Sequence, residues 1–212
     1  MNTSTQTAGP SQEDLKALLS EKDIKIVLDM SGSMKFRDCP NNKTRYEYMQ
    51  EQVFSLAADC AEFDDDGLDI FMMHNGGVNS VSGQKAEDIP QLFASHTPKG
   101  STPTHQALQQ AFKKNPSGKG QVILCYTDGE PDDEESVVRA IVDQSKKQST
   151  DDECTVLFVQ VGYDKDASAF LDRLDNNLKD KGAKFDIVCS AKMDEVEKFP
   201  STAHLIHHAI NN

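Results

Sequence analysis

From residue 24 onward the chain alternates short apolar runs with longer amphipathic stretches. IKIVLD (24–29), LDIFMMH (68–74), QVILCYT (121–127) and CTVLFVQV (154–161) are strand-length apolar runs, the pattern of strands buried on both faces. KFDIVCS (184–190) reads the same way. Over 45–63, Met49, Val53, Leu56, Ala57 and Cys60 recur at helical spacing, so that stretch is predicted as a helix. Further helices are predicted over 86–95, 104–114, 132–147 and 165–179, and a short one over 13–22. Asn75-Gly76-Gly77 signals a turn into VNSVS (78–82), hence a hairpin. Pro200 interrupts helical material beyond Asp194 and is expected to split it. Strands alternating with helices predict an α/β fold with a Rossmann-like open, mostly parallel sheet and helices on both faces. Residues 1–20 read as a polar N-terminal segment, partly disordered, and 21–212 as a single domain.

Composition narrows the partners. Of 212 residues, 37% are hydrophobic and 27% charged, a globular balance. The formal net charge of −13 argues against nucleic acid and anionic membranes as partners, because such a chain repels phosphate. The first residues show no basic segment followed by an apolar one, and the apolar runs are too short to span a bilayer. Five cysteines, odd in number and without a CxxC pair, suggest free thiols and a reducing, cytoplasmic location.

In open α/β sheets ligands bind beyond the carboxyl ends of strands, where the strand order reverses. Three segments carry oxygen donors to such addresses. The first predicted strand runs into Asp29-Met30-Ser31-Gly32-Ser33, where alternate side chains of a turn converge. Gly100-Ser101-Thr102-Pro103 leads into a helix, and Thr127-Asp128-Gly129 ends the strand 121–127. Each has a bland alternative: Asp-x-Ser-x-Ser is common in turns, Thr102-Pro103 fits a helix cap with proline at the first position, and Asp128-Gly129 alone is a turn. Their occurrence together, in order, favours a site. Asp29, Ser31, Ser33, Thr102 and Asp128 offer only oxygen, which selects one hard cation, Mg²⁺ or Mn²⁺, over zinc or copper.

The set D-x-S-G-S, then G-x-T-P before a helix, then T-D-G-E-P after an apolar strand resembles the von Willebrand factor A domain and its metal-ion-dependent adhesion site. The likeness spans 24 to about 210. It implies six strands in the order 3-2-1-4-5-6 with the third antiparallel. It also implies that the serines and threonine reach the ion directly or through water, that the aspartates bind mainly through water, and that one aspartate changes role with conformational state. An under-neutralised ion with an open position would take an Asp or Glu from a protein partner. The polar start and free cysteines are similar to the intracellular, stand-alone members, including those associated with tellurite resistance and stress.

The connection 34–44 (MKFRDCPNNKT) is long and basic for such a domain. Lys35, Arg37, Lys43 and Arg45 either attract an acidic partner or offset nearby carboxylates. Other signals are set aside. His204, His207 and His208 lack companion ligands and read as solvated or capping residues. Asp164–Ser168 begins like a calcium loop but has Ala169 and Asp175 where glycine and glutamate are needed, so it reads as a helix start. Asp64–Asp66 reads as a solvated turn. A haloacid-dehalogenase-like Mg²⁺ phosphatase is the enzymatic alternative, but it needs a second carboxylate where Ser31 stands. A scaffold with a purely structural metal is the third reading.

Overall fold

The computed structural model describes residues 9–61, 66–74, 76–115, 117–129 and 131–211. The turn residue Asn75, Asp64 and Asp65 of the acidic run, Glu130 of the third motif and the first eight residues lie outside that set.

Helix α1 (Gln12–Ser20) starts at a reciprocal cap between Ser11 and Asp14. Strand β1 (Lys22–Asp29) follows, then α2 (Arg45–Cys60), β2 (Leu68–His74), β3 (Gly77–Gln84), α3 (Ile89–Ala94), α4 (Thr104–Lys113) and β4 (Gly120–Thr127). The chain continues through α5 (Glu134–Lys147), β5 (Cys154–Gln160), α6 (Lys165–Asn177), β6 (Val188–Lys192), α7 (Met193–Val196) and α8 (Thr202–Ile210). The six strands form one sheet in the order β3-β2-β1-β4-β5-β6, parallel except for β3, which pairs antiparallel with β2.

Alternation along β1 divides the core. Ile24, Ile26 and Leu28 face the side covered by α1, α2, α3 and α8, while Val27 faces the side covered by α4, α5 and α6. On that second side Lys25 is fully buried. Its ammonium donates to Ala111 O at 3.1 Å, to Gln121 Oε1 at 2.6 Å and to Lys114 O, and lies 3.2 Å from Asp23. Those acceptors satisfy a cation that burial would otherwise discharge. The amino end of the sheet is thereby tied to the end of α4, away from the strand ends where Asp29 and Asp128 sit.

Three predicted elements differ. The helix over 86–95 is a 3₁₀ turn (Ala86–Asp88) followed by the short α3, with Pro90 in its first turn. The helix over 45–63 ends at Cys60. The strand over 184–190 begins only at Val188 and runs on to Lys192. Val188 pairs with Val156, so the same register would set Lys184 against Asp152. That residue lies in a 3₁₀ turn that offers no ladder. Lys184 is instead tied to α5 and its end, its amide donating to Ser145 Oγ and its ammonium to Gln148 O.

Candidate metal centre

The strand order reverses between β1 and β4. β1 leads by way of α2 to β2 on one side, while β4, its neighbour on the other side, leads to β5. Asp29 ends β1 and Asp128 immediately follows β4, so two carboxylates meet at the crevice this reversal opens. Both are buried, at 0% and 1% exposure.

Hydroxyls bridge them. After Asp29 the chain turns into a 3₁₀ segment (Gly32–Lys35), and the Ser31 amide folds back to donate to Asp29 Oδ1 at 2.8 Å. Ser31 Oγ and Ser33 Oγ are 3.0 Å apart, and Ser33 Oγ donates to Asp128 Oδ1 at 2.9 Å. Across the strands, Thr127 Oγ1 donates to Asp29 Oδ2 at 2.8 Å. The result is a continuous line from Asp29 through Ser31 and Ser33 to Asp128.

Thr102 is placed beside this line by its backbone. Lys99 N donates to Met30 O at 2.7 Å, and Gly32 N to Gly100 O at 3.4 Å, so the 99–102 loop lies against the Asp29–Ser33 turn. Thr102 N donates to Asp132 Oδ1 at 2.8 Å and Asp132 N returns a bond to Thr102 O at 3.0 Å, a clasp that fixes the residue. Thr102 is buried, but among the described residues its hydroxyl bonds to none of the other four. It is not the cap of α4 either: Pro103 occupies that position, without a side-chain cap bond.

Burial, and then the charge of Asp128, push the Asp29 carboxyl up to about 6. Burial likewise raises Asp128, against the opposing pull of Arg45 and Ser33. Two crowded, desolvated carboxylates beside hydroxyls with spare lone pairs suit a hard divalent cation. Among the described residues no three His, Cys, Asp or Glu side chains gather as a metal-holding cluster, so this is a mixed carboxylate and hydroxyl set.

Three of the four basic residues of this connection offset nearby carboxylates, and Lys35 is exposed. Arg45 is buried, donating from Nη1 to Asp128 Oδ2 at 2.9 Å and from Nε and Nη2 to Asp38 at 2.6–3.1 Å. Lys43 pairs with Glu51 at 2.5 Å and Arg37 with Glu47 at 3.3 Å. Asp38, Thr127 and Asp132 were not singled out in the sequence. Thr127 could have been, since it and Asp29 each follow the last pair of the β1–β4 ladder, Leu28 and Tyr126. Asp38 sits in an irregular loop, and nothing in its spacing announces a partner seven residues on. Of the signals set aside, Asp164 caps α6 as expected, and His204 Nδ1 lies 2.9 Å from Ser201 Oγ at the start of α8.

An open, mixed α/β sheet with acidic and hydroxyl side chains at its central strand ends defines a class of domain. The fold is that of the von Willebrand factor A domain, as three solved structures show. A von Willebrand factor type A protein from Catenulispora acidiphila matches with a TM-score of 0.53 and 15% identity, over 90% of this chain and 41% of that one. Manganese-loaded TRAP protein from Plasmodium vivax matches at 0.53 and 16%, over 84% and 71%. Proximal thread matrix protein 1 from the mussel byssus, with a zinc-occupied MIDAS motif, matches at 0.52 and 14%, over 89% and 47%. The chain thus spans less than half of two of these proteins. No protein-family model and no curated protein matches the sequence.

Proposed function

We propose that this domain is a non-enzymatic, Mg²⁺-dependent protein-binding module that captures an acidic side chain of a partner. The observation that carries this reading is the convergence of buried Asp29 and Asp128 on the Ser31–Ser33 hydroxyl pair at the switch point of the sheet. Asp29, Ser31, Ser33, Thr102 and Asp128 are the residues that would hold the ion, and the group supplies positive charge and an open position for a carboxylate. The manganese and zinc of two neighbours in the same fold support a divalent cation here. Zinc in an adhesion-site motif also makes it a competitor to test, rather than one excluded by an oxygen donor set.

The rim is suited to an acidic partner with apolar flanks. Lys35 and Lys99 are exposed beside the site, and Phe36 and Tyr163, at 61% and 58% exposure, stand near Arg45. All five cysteines are buried and none is in a disulfide, which supports a reducing, cytoplasmic setting. Among the described residues no helix is long and apolar enough to cross a membrane.

The test combines two measurements. Millimolar Mg²⁺ or Mn²⁺ should raise the melting temperature by mass action, with zinc run in parallel. Immobilised protein should then retain partners from lysate in Mg²⁺ and release them in EDTA, and Asp29→Asn should retain none. Melting curves that ignore all three ions would overturn the metal reading. Partners held equally in EDTA would overturn the bridging role.

A further inference from the structure

Arg45 is the first residue of α2, one position past the Thr44 cap, where an arginine normally reaches into solvent. Here it is 7% exposed and each of its three nitrogens donates to a carboxylate. Nη1 donates to Asp128 Oδ2 at 2.9 Å, Nη2 to Asp38 Oδ2 at 2.6 Å, and Nε to both Asp38 oxygens at 3.0 and 3.1 Å. Its Cζ lies 5.2 Å from the centre of the Phe36 ring. Gly162, at φ +86°, leaves room on another side, because a Cβ there would stand 2.4 Å from Nε and 2.8 Å from Cζ. Residues from three loops therefore build a socket for one cation. A guanidinium is buried at a desolvation cost that pairing with two carboxylates offsets.

The socket acts on Asp128. One of its oxygens belongs to Arg45, and the other accepts from Ser33 Oγ at 2.9 Å. While Arg45 stays, Asp128 can present only Oδ1 to the crevice, so two-oxygen binding of an ion is blocked. The charges point the same way. Asp29 and Asp128 together would neutralise a divalent ion, but Arg45 withdraws part of the Asp128 charge. Asp38, the other partner of Arg45, is 36% exposed and screened by water, whereas Asp128 is not.

We infer that Arg45 is a positioning residue that holds Asp128 to one free oxygen, weakening the grip on the cation and leaving the loaded site positive enough to attract a carboxylate. This rests on the metal-bridge reading above. It assigns the selectivity of the site for an anionic partner to a residue outside the five oxygen donors.

The test uses Arg45→Met, which keeps the stem and removes the fork, and Arg45→Met/Asp38→Asn, which also removes the exposed carboxylate that Arg45 would leave behind. Mn²⁺ affinity is read from the electron-paramagnetic-resonance signal of the free ion. Carboxylate capture is read from paramagnetic relaxation of acetate by the Mn²⁺-loaded protein. Both variants should bind Mn²⁺ about tenfold more tightly, the effect of one partly buried charge, and acetate correspondingly more weakly. Arg45→Lys, which keeps charge without the fork, should fall between them and the natural protein. A purely structural role would lower the melting temperature and leave both affinities in place, and that result overturns the inference. If the natural protein binds Mn²⁺ while the folded variants bind it equally or less tightly, only this inference falls. If the natural protein binds no Mn²⁺, the metal-bridge reading falls and takes this one with it.

Discussion

Replacing Asp29 by Asn should make the metal-free protein more stable at pH 7 while abolishing its response to divalent ions. The carboxyl is fully buried and raised from 3.8 to about 6, by burial first and by Asp128 second. Because the folded value lies above the unfolded one, the native state binds more protons between those two values. Stability therefore falls as pH rises through that window and stays lower above it. At about 1.4 kcal/mol for each tenfold change in proton affinity, the ionised group costs at most about 3 kcal/mol at neutral pH. Asparagine removes that penalty without orphaning its neighbours. Its oxygen can accept from Ser31 N, and its amide can donate to Thr127 Oγ1, a hydroxyl that can turn to accept. A net gain of about 1–3 kcal/mol is expected, and each kcal/mol should raise the melting temperature by roughly 2–4 °C for a chain of this size. Thermal and urea melts in EDTA at pH 5, 6 and 7 should show the variant declining less steeply than the natural protein, since Asp128 still titrates in both. Added Mg²⁺ or Mn²⁺ should then raise the natural protein and leave the variant unmoved. An Asn variant less stable than the natural protein in EDTA at pH 7, with no difference in pH slope, would refute the idea that the two carboxylates strain the empty crevice.

Thr102→Ala should fold, losing only about 1 kcal/mol from the buried methyl because the residue does not cap α4, and yet blunt the divalent-ion shift in melting temperature. An intact shift would remove Thr102 from the donor set. The thiols should be nearly inert in the native state, since burial pushes Cys39 up to about 11 and Cys154 up to about 12 and carries Cys125 well above its usual value. Unfolding without reductant should release five reactive equivalents. Fewer would mean disulfides and a different compartment.

Much of the fold can be read from the sequence because its strands are buried on both faces. A continuous apolar run such as 121–127 has few alternatives when flanked by amphipathic stretches, and its boundaries fall within a residue of β4. The same rule misplaces β6. There, the apolar run begins before the point where the partner strand can pair, and a ladder's extent depends on two strands rather than one. The addresses of Asp29, Ser31, Ser33 and Asp128 were legible for a related reason: each follows the end of a strand-forming run whose direction is known, whereas Thr102 lies ahead of a helix. Arg45 was visible only as a basic residue on the rim. Its contact with Asp128 spans 83 positions and depends on Gly162 leaving space, which no local pattern encodes.

The outermost strand, β3, bears on how the chain escapes misassembly. One side of it pairs with β2, and among the described residues the other has no neighbour in the sheet. An unpaired margin of backbone donors and acceptors is a template on which a second unfolded copy could build. Here the template is poor. Its sequence, GVNSVSGQ, holds two glycines and four polar side chains, and its pairing with β2 is broken by a register shift between Leu68 and Ile70. The opposite margin, β6, is only five residues long. Refolding from denaturant at high concentration should therefore lose little material to sheet-by-sheet aggregation, even though the central strands, exposed in the unfolded chain, are among its most apolar segments.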